Sequence, residues 1–347
     1  MLATAGMVMG SALFMGGSDG YSPRPSQPVM LMSPPPSYAQ FTSLDIVEAE
    51  PFFRRLKDST LMLPASIEVT VGLGASLFDK EIPLERPRQL RLMPPFPGDL
   101  LNPKSTHGDV LIQICSETPE KVRSATQYLL DRIPGHEIRW SAHGFRNDNR
   151  EENGRALTRN SLGFMEGHGN PDRRGSRRAF HDMIEVSDAG EPAWARHGTY
   201  QVVRLIRLAQ KLWDADPVDV QEKIIGRRRD GTRLDGVAPF DDMPFTGDAD
   251  GSITPLDSHV RRANPHLPGI EPPPMLRRSF SYGRGEDAFG NVDEGLLFVC
   301  YQADLARGFE AVQRRLAGEA LSRYMLTTGG GYFFVPARLE PDRWWNS

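Results

Sequence analysis

The chain has 347 residues and a mass of 38.7 kDa, which corresponds to about two domains of ordinary size. Hydrophobic residues make up 39% and charged residues 25%, a composition that excludes a largely disordered chain. The net charge of −4 gives no electrostatic attraction to nucleic acids or to anionic membranes. The two cysteines, Cys115 and Cys300, cannot form a disulfide framework, and the apolar run around each predicts a buried thiol.

The N-terminal segment, residues 1–38, is interpreted separately from the rest of the chain. Its first 17 residues are apolar and uncharged, as in an export signal, but a preceding basic region and a following A-x-A cleavage site are missing. Two interpretations stay open. A signal remnant, with its twin-arginine stretch upstream, predicts a periplasmic or secreted protein. An apolar arm packed on the body or on another subunit predicts a cytoplasmic one. Residues 21–38 contain six prolines and predict an extended linker.

Strand patterns occur in both halves of the remaining chain. Each is a short run that is rich in Val, Ile, Phe and Tyr or that alternates apolar and polar residues. No stretch contains about 18 consecutive apolar residues, so no membrane-spanning helix is expected in the mature protein. The predicted strands are Ser66–Leu73, Gly108–Cys115, Glu137–Ala142, Thr199–Ile206, Leu296–Gln302 and Gly331–Pro336.

Helical patterns lie between these strands. The stretch Thr118–Arg132 opens with Thr118 as N-cap and Pro119 at the first helical position, and apolar residues then recur at helical spacing. Apolar residues also recur at helical spacing over Leu305–Met325. The repeated strand–helix–strand order predicts two α+β domains, each a sheet with helices on one face.

Two long stretches without periodicity, Asn147–Ala195 and Gly226–Phe280, are predicted to carry the function, because loops of this length are usually functional or disordered. The first contains G-F-M-E-G-H-G-N-P over residues 163–171, in which the acid Glu166 lies between two glycines. Glycines let the backbone approach a bound group closely. The second contains His259 in S-H-V-R-R-A-N-P and Arg277 in M-L-R-R-S-F-S-Y-G.

Taken together and in this order, the three segments resemble the dye-decolourising peroxidases, a family of haem peroxidases. The family pattern G-x-x-D-G corresponds to Gly163–Gly167, with Glu166 in place of the usual Asp. The proximal-histidine segment of the family resembles Ser258–Pro265, and its distal-arginine segment resembles Leu276–Gly283. The stretches His107–Thr118 and Trp140–Arg146 resemble the exported, twin-arginine branch, and the likeness extends from about Ser66 to Pro336.

The resemblance and the strand–helix order together predict two ferredoxin-like α+β domains with antiparallel sheets, as in dimeric α+β barrels. The N-terminal domain is predicted over residues 39–190 and includes the loop with Glu166. The C-terminal domain is predicted over residues 191–347 and holds the haem.

The resemblance implies a role for several single residues around b-type haem (iron protoporphyrin IX). His259 would be the axial iron ligand, and Asp304 would be the carboxylate behind it, or else the N-cap of the following helix. Glu166 would be the acid–base, and Arg277 the charge that stabilises the leaving oxygen. Gly167, Asn170 and Arg262 would contact the haem. His168 is either a proton shuttle or a loop histidine that faces solvent or a propionate.

The implied activity is that of a haem peroxidase, in which hydrogen peroxide is reduced and a dye or small aromatic reductant is oxidised through a ferryl intermediate. Three alternatives stay open. These are a haem-handling or iron-releasing (deferrochelatase-like) protein, a haem-binding module with weak chemistry, and an α+β protein without a cofactor. No nucleic-acid partner is expected, and homo-oligomerisation is left open.

Overall fold

A computed structural model of the protein describes residues 27–187, 190–236, 245, 247–265, 274–286 and 292–345. The apolar segment of residues 1–17 lies outside the described residues, so the prediction of a signal remnant or packed arm stays a prediction. Within the described residues, no helix combines the length and the apolar character needed to cross a membrane.

The described residues form twelve strands and nine α-helices. The strands are β1 (Tyr38–Ile46), β2 (Glu68–Gly74), β3 (Val110–Ser116), β4 (His136–Phe145), β5 (Asn147–Glu152), β6 (Arg155–Arg159), β7 (Met165–Glu166), β8 (Thr199–Leu208), β9 (Leu276–Arg277), β10 (Phe280–Glu286), β11 (Val292–Gln302) and β12 (Met325–Val335). The α-helices are α1 (Gln27–Met30), α2 (Ala49–Leu61), α3 (Pro119–Leu130), α4 (Arg177–Ile184), α5 (Gln210–Asp214), α6 (Val218–Ile225), α7 (His259–Ala263), α8 (Phe309–Leu316) and α9 (Pro341–Trp345).

Each half contains an antiparallel four-stranded sheet of ferredoxin-like order. The N-terminal half runs β1-α2-β2-β3-α3-β4, and its strands lie side by side as β4-β1-β3-β2. The C-terminal half supplies β8, β10, β11 and β12, and its strands lie as β12-β8-β11-β10. The predicted fold class is therefore confirmed. The predicted boundary at residues 190 and 191 stays a prediction.

The two sheets join into one ring. At one junction, β2 pairs with β12 through Leu73 and Gly74. At the other junction, β10 pairs both with β11 of its own half and with β4, where Ser281 lies opposite Phe145. Closing the sheet in this way leaves few strand edges unpaired, and an unpaired edge would otherwise attract other chains.

One helix prediction is confirmed and another is corrected. Thr118 is the N-cap of α3, and its side chain accepts a hydrogen bond from the backbone N–H of Lys121. The helix predicted over Leu305–Met325 is too long, because α8 covers only Phe309–Leu316. The helix stops because Gly318 has a φ of +75°, outside the helical region, and Met325 already begins β12.

Side chains of the C-terminal strands alternate between the inside and the outside of the ring, because successive residues of a strand point to opposite faces. Val203, Leu205, Leu297 and Val299 point inward and belong to the apolar core of the ring. The neighbouring residues on the same strands point outward and form one wall of a cavity. These wall residues are Arg204, Ile206, Leu208, Leu296 and Phe298.

The outer faces of the two half-sheets are covered differently. In the N-terminal half, α2 and α3 pack their buried faces on the sheet and form a continuous apolar core with it. In the C-terminal half, the described residues between β8 and β10 form only short helices. Here α8 packs on the sheet, and Trp213 of α5 and Ile224 of α6 form a further apolar cluster with Leu208 of β8. The short helices α6 and α7 lie farther along this face, and the cavity occupies the space between them and the strands.

Candidate active site

The cavity has a volume of about 330 Å³, within the range of about 300–1,000 Å³ that is usual for cofactor and small-molecule sites. Most of its wall is apolar, and a small number of charged side chains reach it. Three of the residues singled out from the sequence, Glu166, His259 and Arg277, line this one cavity although more than 100 residues separate the first from the last. The apolar lining residues include Leu162, Phe164, Ile206, Ile225, Phe298, Val312, Leu316 and Leu321.

His259 is the first residue of α7 and reaches the cavity from the helical side. Its Nδ1 lies 2.7 Å from Oε2 of Glu319, a carboxylate whose side chain is only 3% exposed. A carboxylate on Nδ1 fixes the orientation of the ring and leaves Nε2 to face a ligand, the arrangement that metal-binding histidines commonly have.

The prediction that Asp304 stands behind His259 is wrong, because Glu319 occupies that position. Asp304 is not among the described residues that line the cavity. Its carboxylate instead accepts a hydrogen bond of 3.0 Å from the backbone N–H of Arg307, in the turn that leads into α8. Asp304 thus stabilises this turn, whereas the N-cap of α8 itself is Gly308, so Asp304 is not the N-cap of the helix either.

Arg262 is also corrected, because it is not among the described residues that line the cavity. Its guanidinium donates a hydrogen bond of 2.7 Å to the backbone carbonyl of Ala317, the residue that ends α8. Cations are favoured there, because the last carbonyls of a helix lack partners and carry partial negative charge. Arg262 thus joins α7 to α8 and supports His259 only through the backbone.

Glu166 ends the short strand β7, and the two glycines around it set its position. Gly163 and Gly167 have φ values of +86° and +106°, a region that residues with a Cβ rarely adopt. A Cβ at Gly167 would also lie 2.2 Å from the carbonyl oxygen of Ala156. Gly167 lines the cavity, and its lack of a side chain lets the loop pack against β6, while its contact with haem stays a prediction.

The carboxylate of Glu166 is surrounded by protein atoms and by opposing charges. Burial has the largest effect and raises the pKa of this carboxylate. The nearby charges of Arg146 and Arg277 lower it, and smaller lowering effects come from a hydrogen bond with Asn160 and from the electrostatic effect of His259. A carboxyl group with a raised pKa holds and releases protons nearer to neutral pH than an exposed glutamate does. Acids and bases of active sites have this property.

Arg277 lies on β9, which among the described strands pairs only with β11. On the other side of β9, the Asn170 side chain takes the place of a neighbouring strand. Its Nδ2 donates to the carbonyl of Arg277 at 2.8 Å, and its Oδ1 accepts from the backbone N–H of Arg277 at 3.1 Å and from its Nε at 3.3 Å. Asn170 lines the cavity, but its polar atoms bind Arg277, so it positions this arginine.

Two charged features of the cavity were not found from the sequence. Arg146 follows β4 in the N-terminal half and is nearly buried, and burial lowers its pKa to about 10 while the nearby Glu166 raises it. On another wall, the buried guanidinium of Arg204 binds the carboxylate of Asp99. Asp99 and Arg204 lie in no recognisable motif, and the stretch that ends at Arg146 indicated only a branch of the family. Only the folded chain brings the three residues to the cavity.

His168 is buried and lines the cavity, so it is not a solvent-facing loop histidine. Burial and the nearby Arg227 lower its pKa to about 4. The imidazole is therefore neutral at physiological pH, and it adds no positive charge to the cavity.

These features define a class of protein. Two ferredoxin-like halves form one ring of strands, and a cofactor-sized cavity lies against its outer face. In that cavity an imidazole backed by a carboxylate is presented from the helices, and a carboxylate and a guanidinium are presented from the strands. This is the donor set of a site that holds a metal-containing cofactor beside a proton-transfer group.

Comparison with known proteins agrees with this class. Residues 38–146 match the family model for the N-terminal part of Dyp-type peroxidases, and residues 157–340 match the model for the C-terminal part. The chain therefore belongs to the Dyp-type peroxidase family, as the resemblance of its motifs indicated.

Individual relatives and structures are similar over most of the chain. A deferrochelatase of Escherichia coli K12 is 40% identical over 277 residues, which are 78% of this chain and 66% of that protein. The chain therefore aligns with slightly less than two thirds of the length of this relative. The structures of ferric DtpA from Streptomyces lividans and of a DyP-type peroxidase from Streptomyces coelicolor are each 31% identical with a TM-score of 0.77. Each comparison covers 88% of this chain and 90% of the other.

Substituting Glu319 tests whether it, rather than Asp304, supports His259. We expect Glu319→Ala to weaken haem binding by about 10–100-fold, since removing the partner of a ligating histidine typically costs that much. Asp304→Ala removes a carboxylate in the turn before α8 and should leave the affinity for haem unchanged. Titration of each purified variant with haem, followed by the Soret absorption, measures both affinities. A larger loss in Asp304→Ala would contradict the assignment of Glu319.

Proposed function

We propose that this protein is a haem peroxidase that reduces hydrogen peroxide and oxidises a small aromatic or dye reductant. One observation carries the proposal: a single cavity brings together the His259–Glu319 pair, Glu166 and Arg277 in a chain of the Dyp-type peroxidase family.

The cavity fits b-type haem in chemistry. Apolar walls such as Phe298 and Leu316 suit a flat hydrophobic macrocycle, and Nε2 of His259 suits its iron. We infer that His259 would bind the iron, that Glu319 orients His259, and that Gly167 would allow close approach of its loop to the macrocycle. Bound haem would supply the electrons that cleave the O–O bond of peroxide.

Glu166 is assigned the movement of the proton. Before the O–O bond breaks, hydrogen peroxide loses a proton from one oxygen and gains one on the other. Glu166 in its ionised form accepts the first proton and returns it to the leaving oxygen. The raised pKa that burial causes favours the return, while Arg146 and Arg277 keep the carboxylate from being permanently protonated.

Arg277 is assigned the stabilisation of negative charge on the leaving oxygen. A guanidinium stays protonated at working pH, so its charge is in place before the reaction begins. Asn170 holds the backbone and Nε of this residue, and a side chain that is held in place needs little reorganisation during the reaction.

A second candidate function is the release of iron from haem. It is favoured by the 40% identity to proteins named deferrochelatase. In such a reaction haem is the substrate, and two protons replace the iron at the porphyrin nitrogens. Incubation of the protein with haem and a reductant separates the two functions. The fluorescence of iron-free porphyrin would report iron release, whereas oxidation of a dye after addition of peroxide would report the peroxidase.

Variants of the two cavity residues test the assigned roles. We expect Arg277→Ala to slow the reaction with peroxide more than Glu166→Gln does. Loss of a preorganised charge donor typically costs about 100–1,000-fold. An acid–base contributes about 100–10,000-fold only where its geometry fits, and the extra methylene of glutamate displaces the carboxylate from the usual Asp position. Stopped-flow absorbance after mixing with peroxide measures both rates. A larger loss in Glu166→Gln would show that the longer side chain reaches the peroxide.

The rate should also depend on pH in a way that identifies Glu166. Its pKa is raised, so protonation begins at a higher pH than for an exposed glutamate, and the protonated form cannot accept the proton of peroxide. We expect the rate to fall as the pH drops through this raised pKa. The Glu166→Gln variant, which reacts more slowly, should not show this fall in its rate as the pH drops. A fall that persists in that variant would assign it to another group.

A further inference from the structure

A segment before the first strand contacts the same end of the ring as the active-site arginines. This segment, residues 27–37, is here called the leading segment. Leu31 is 3% exposed and belongs to the apolar core of the ring together with Leu276 and Phe280. At its start, Gln27 bonds two strands. The Gln27 side chain accepts a hydrogen bond from the N–H of Val71 in β2 and donates one to the carbonyl of Pro336, which follows β12.

The leading segment binds the residue next to Arg277. The guanidinium of Arg278 donates to the carbonyl of Leu31 at 3.0 Å and also to the carbonyl of Ser33, and it lies 3.3 Å from the carboxylate of Glu68. Arg278 is buried, and its backbone N–H is bonded to Val299 of β11. Arg277 lines the cavity, whereas Arg278, the residue that follows β9, binds the leading segment.

The leading segment also binds the loop that carries Arg146. The backbone N–H of Arg146 donates to the carbonyl of Ser37 at 2.9 Å, and Nδ2 of Asn149 donates to the carbonyl of Pro35 at 3.0 Å. The Oδ1 of Asn149 in turn accepts from Nε of Arg146. The leading segment thus binds the chain next to both Arg146 and Arg277, the two arginines whose charges act on Glu166.

A very small cavity lies between the leading segment and the loop that carries Glu166. Leu31 and Pro35 line it from one side, and Asn170 and Pro171 line it from the other. Its volume of about 10 Å³ is close to that of a single water molecule, so the segment is packed behind the loop with little room for independent movement.

We propose that the leading segment is a working part of the active site, with Arg278 as the positioning residue through which its docking sets the place of Arg277. The inference rests on the proposed peroxidase function. Binding of haem through His259 does not require the segment, whereas activation of peroxide does. Removal or undocking of residues 27–37 therefore produces a protein that holds haem but reacts slowly with peroxide.

Full-length variants that undock the segment without changing a cavity residue provide the test. Leu31→Asp places a charge in the apolar core, and Gln27→Ala removes the bonds to Val71 and Pro336 as a milder change. A matched control is Leu129→Ala, which removes an equally buried leucine from α3, far from the segment. Hydrogen exchange of the Arg146 and Val71 amides in the haem-free protein reports docking independently of activity.

For Leu31→Asp, we expect fast exchange at both amides, an unchanged haem spectrum and a loss of about 10–100-fold in the rate with peroxide, since misplacement by about 1 Å can cost that much. Gln27→Ala should show a smaller loss in the same direction. Leu129→Ala should lower the melting temperature and keep the wild-type rate.

Two results would overturn the proposal while the wild type reacts with peroxide. One is a variant in which the Arg146 and Val71 amides exchange fast but the rate with peroxide equals that of the wild type. The other is a loss of rate in Leu129→Ala as large as that in Leu31→Asp. If Leu31→Asp does not fold, Gln27→Ala decides by the same criteria. A wild-type protein that binds haem but does not react with peroxide would refute the proposed function itself.

Discussion

The apolar outer face of the C-terminal sheet is the constraint on which the site depends. Side chains such as Ile206, Leu296 and Phe298 point out of the ring, and exposing them to water would cost free energy roughly in proportion to their area. In the N-terminal half, two helices cover the equivalent face. In the C-terminal half, a cavity of about 330 Å³ lies between the helices and the strands. A flat hydrophobic cofactor bound there would cover the apolar side chains of the sheet that no helix covers.

The charged side chains His259 and Arg277 are each held by a polar partner that also lines the cavity. His259 depends on Glu319, and Arg277 depends on Asn170. In low dielectric an unsupported charge is costly, and the same environment strengthens each interaction that is well placed. Both halves of the chain contribute, because Arg146 comes from the N-terminal half. This shared construction explains why the site belongs to the joined ring and cannot be assigned to one half alone.

The sequence predicted the features that depend on local patterns. The six predicted strands, the capped helix at Thr118 and the motifs around Glu166, His259 and Arg277 are recognisable within a few residues, and so is the family. The sequence patterns did not predict six further strands, which are β1, β5, β6, β7, β9 and β10. The features that depend on distant packing were missed. Glu319 lies 60 residues from His259 and belongs to no recognisable motif, and the family resemblance pointed only to Asp304. The end of α8 was misplaced because the apolar spacing continues beyond Gly318 into β12.

The most direct test of the account is the spectrum of the haem-reconstituted protein beside that of His259→Ala. The account predicts a Soret band and an electron paramagnetic resonance signal typical of ferric haem with one axial nitrogen in the wild type. In the variant it predicts loss of that nitrogen signature, with the cavity still able to hold the macrocycle through its apolar walls. An unchanged axial ligand in His259→Ala, or a wild type without a Soret band after reconstitution, would contradict the assignment of this cavity as the haem site.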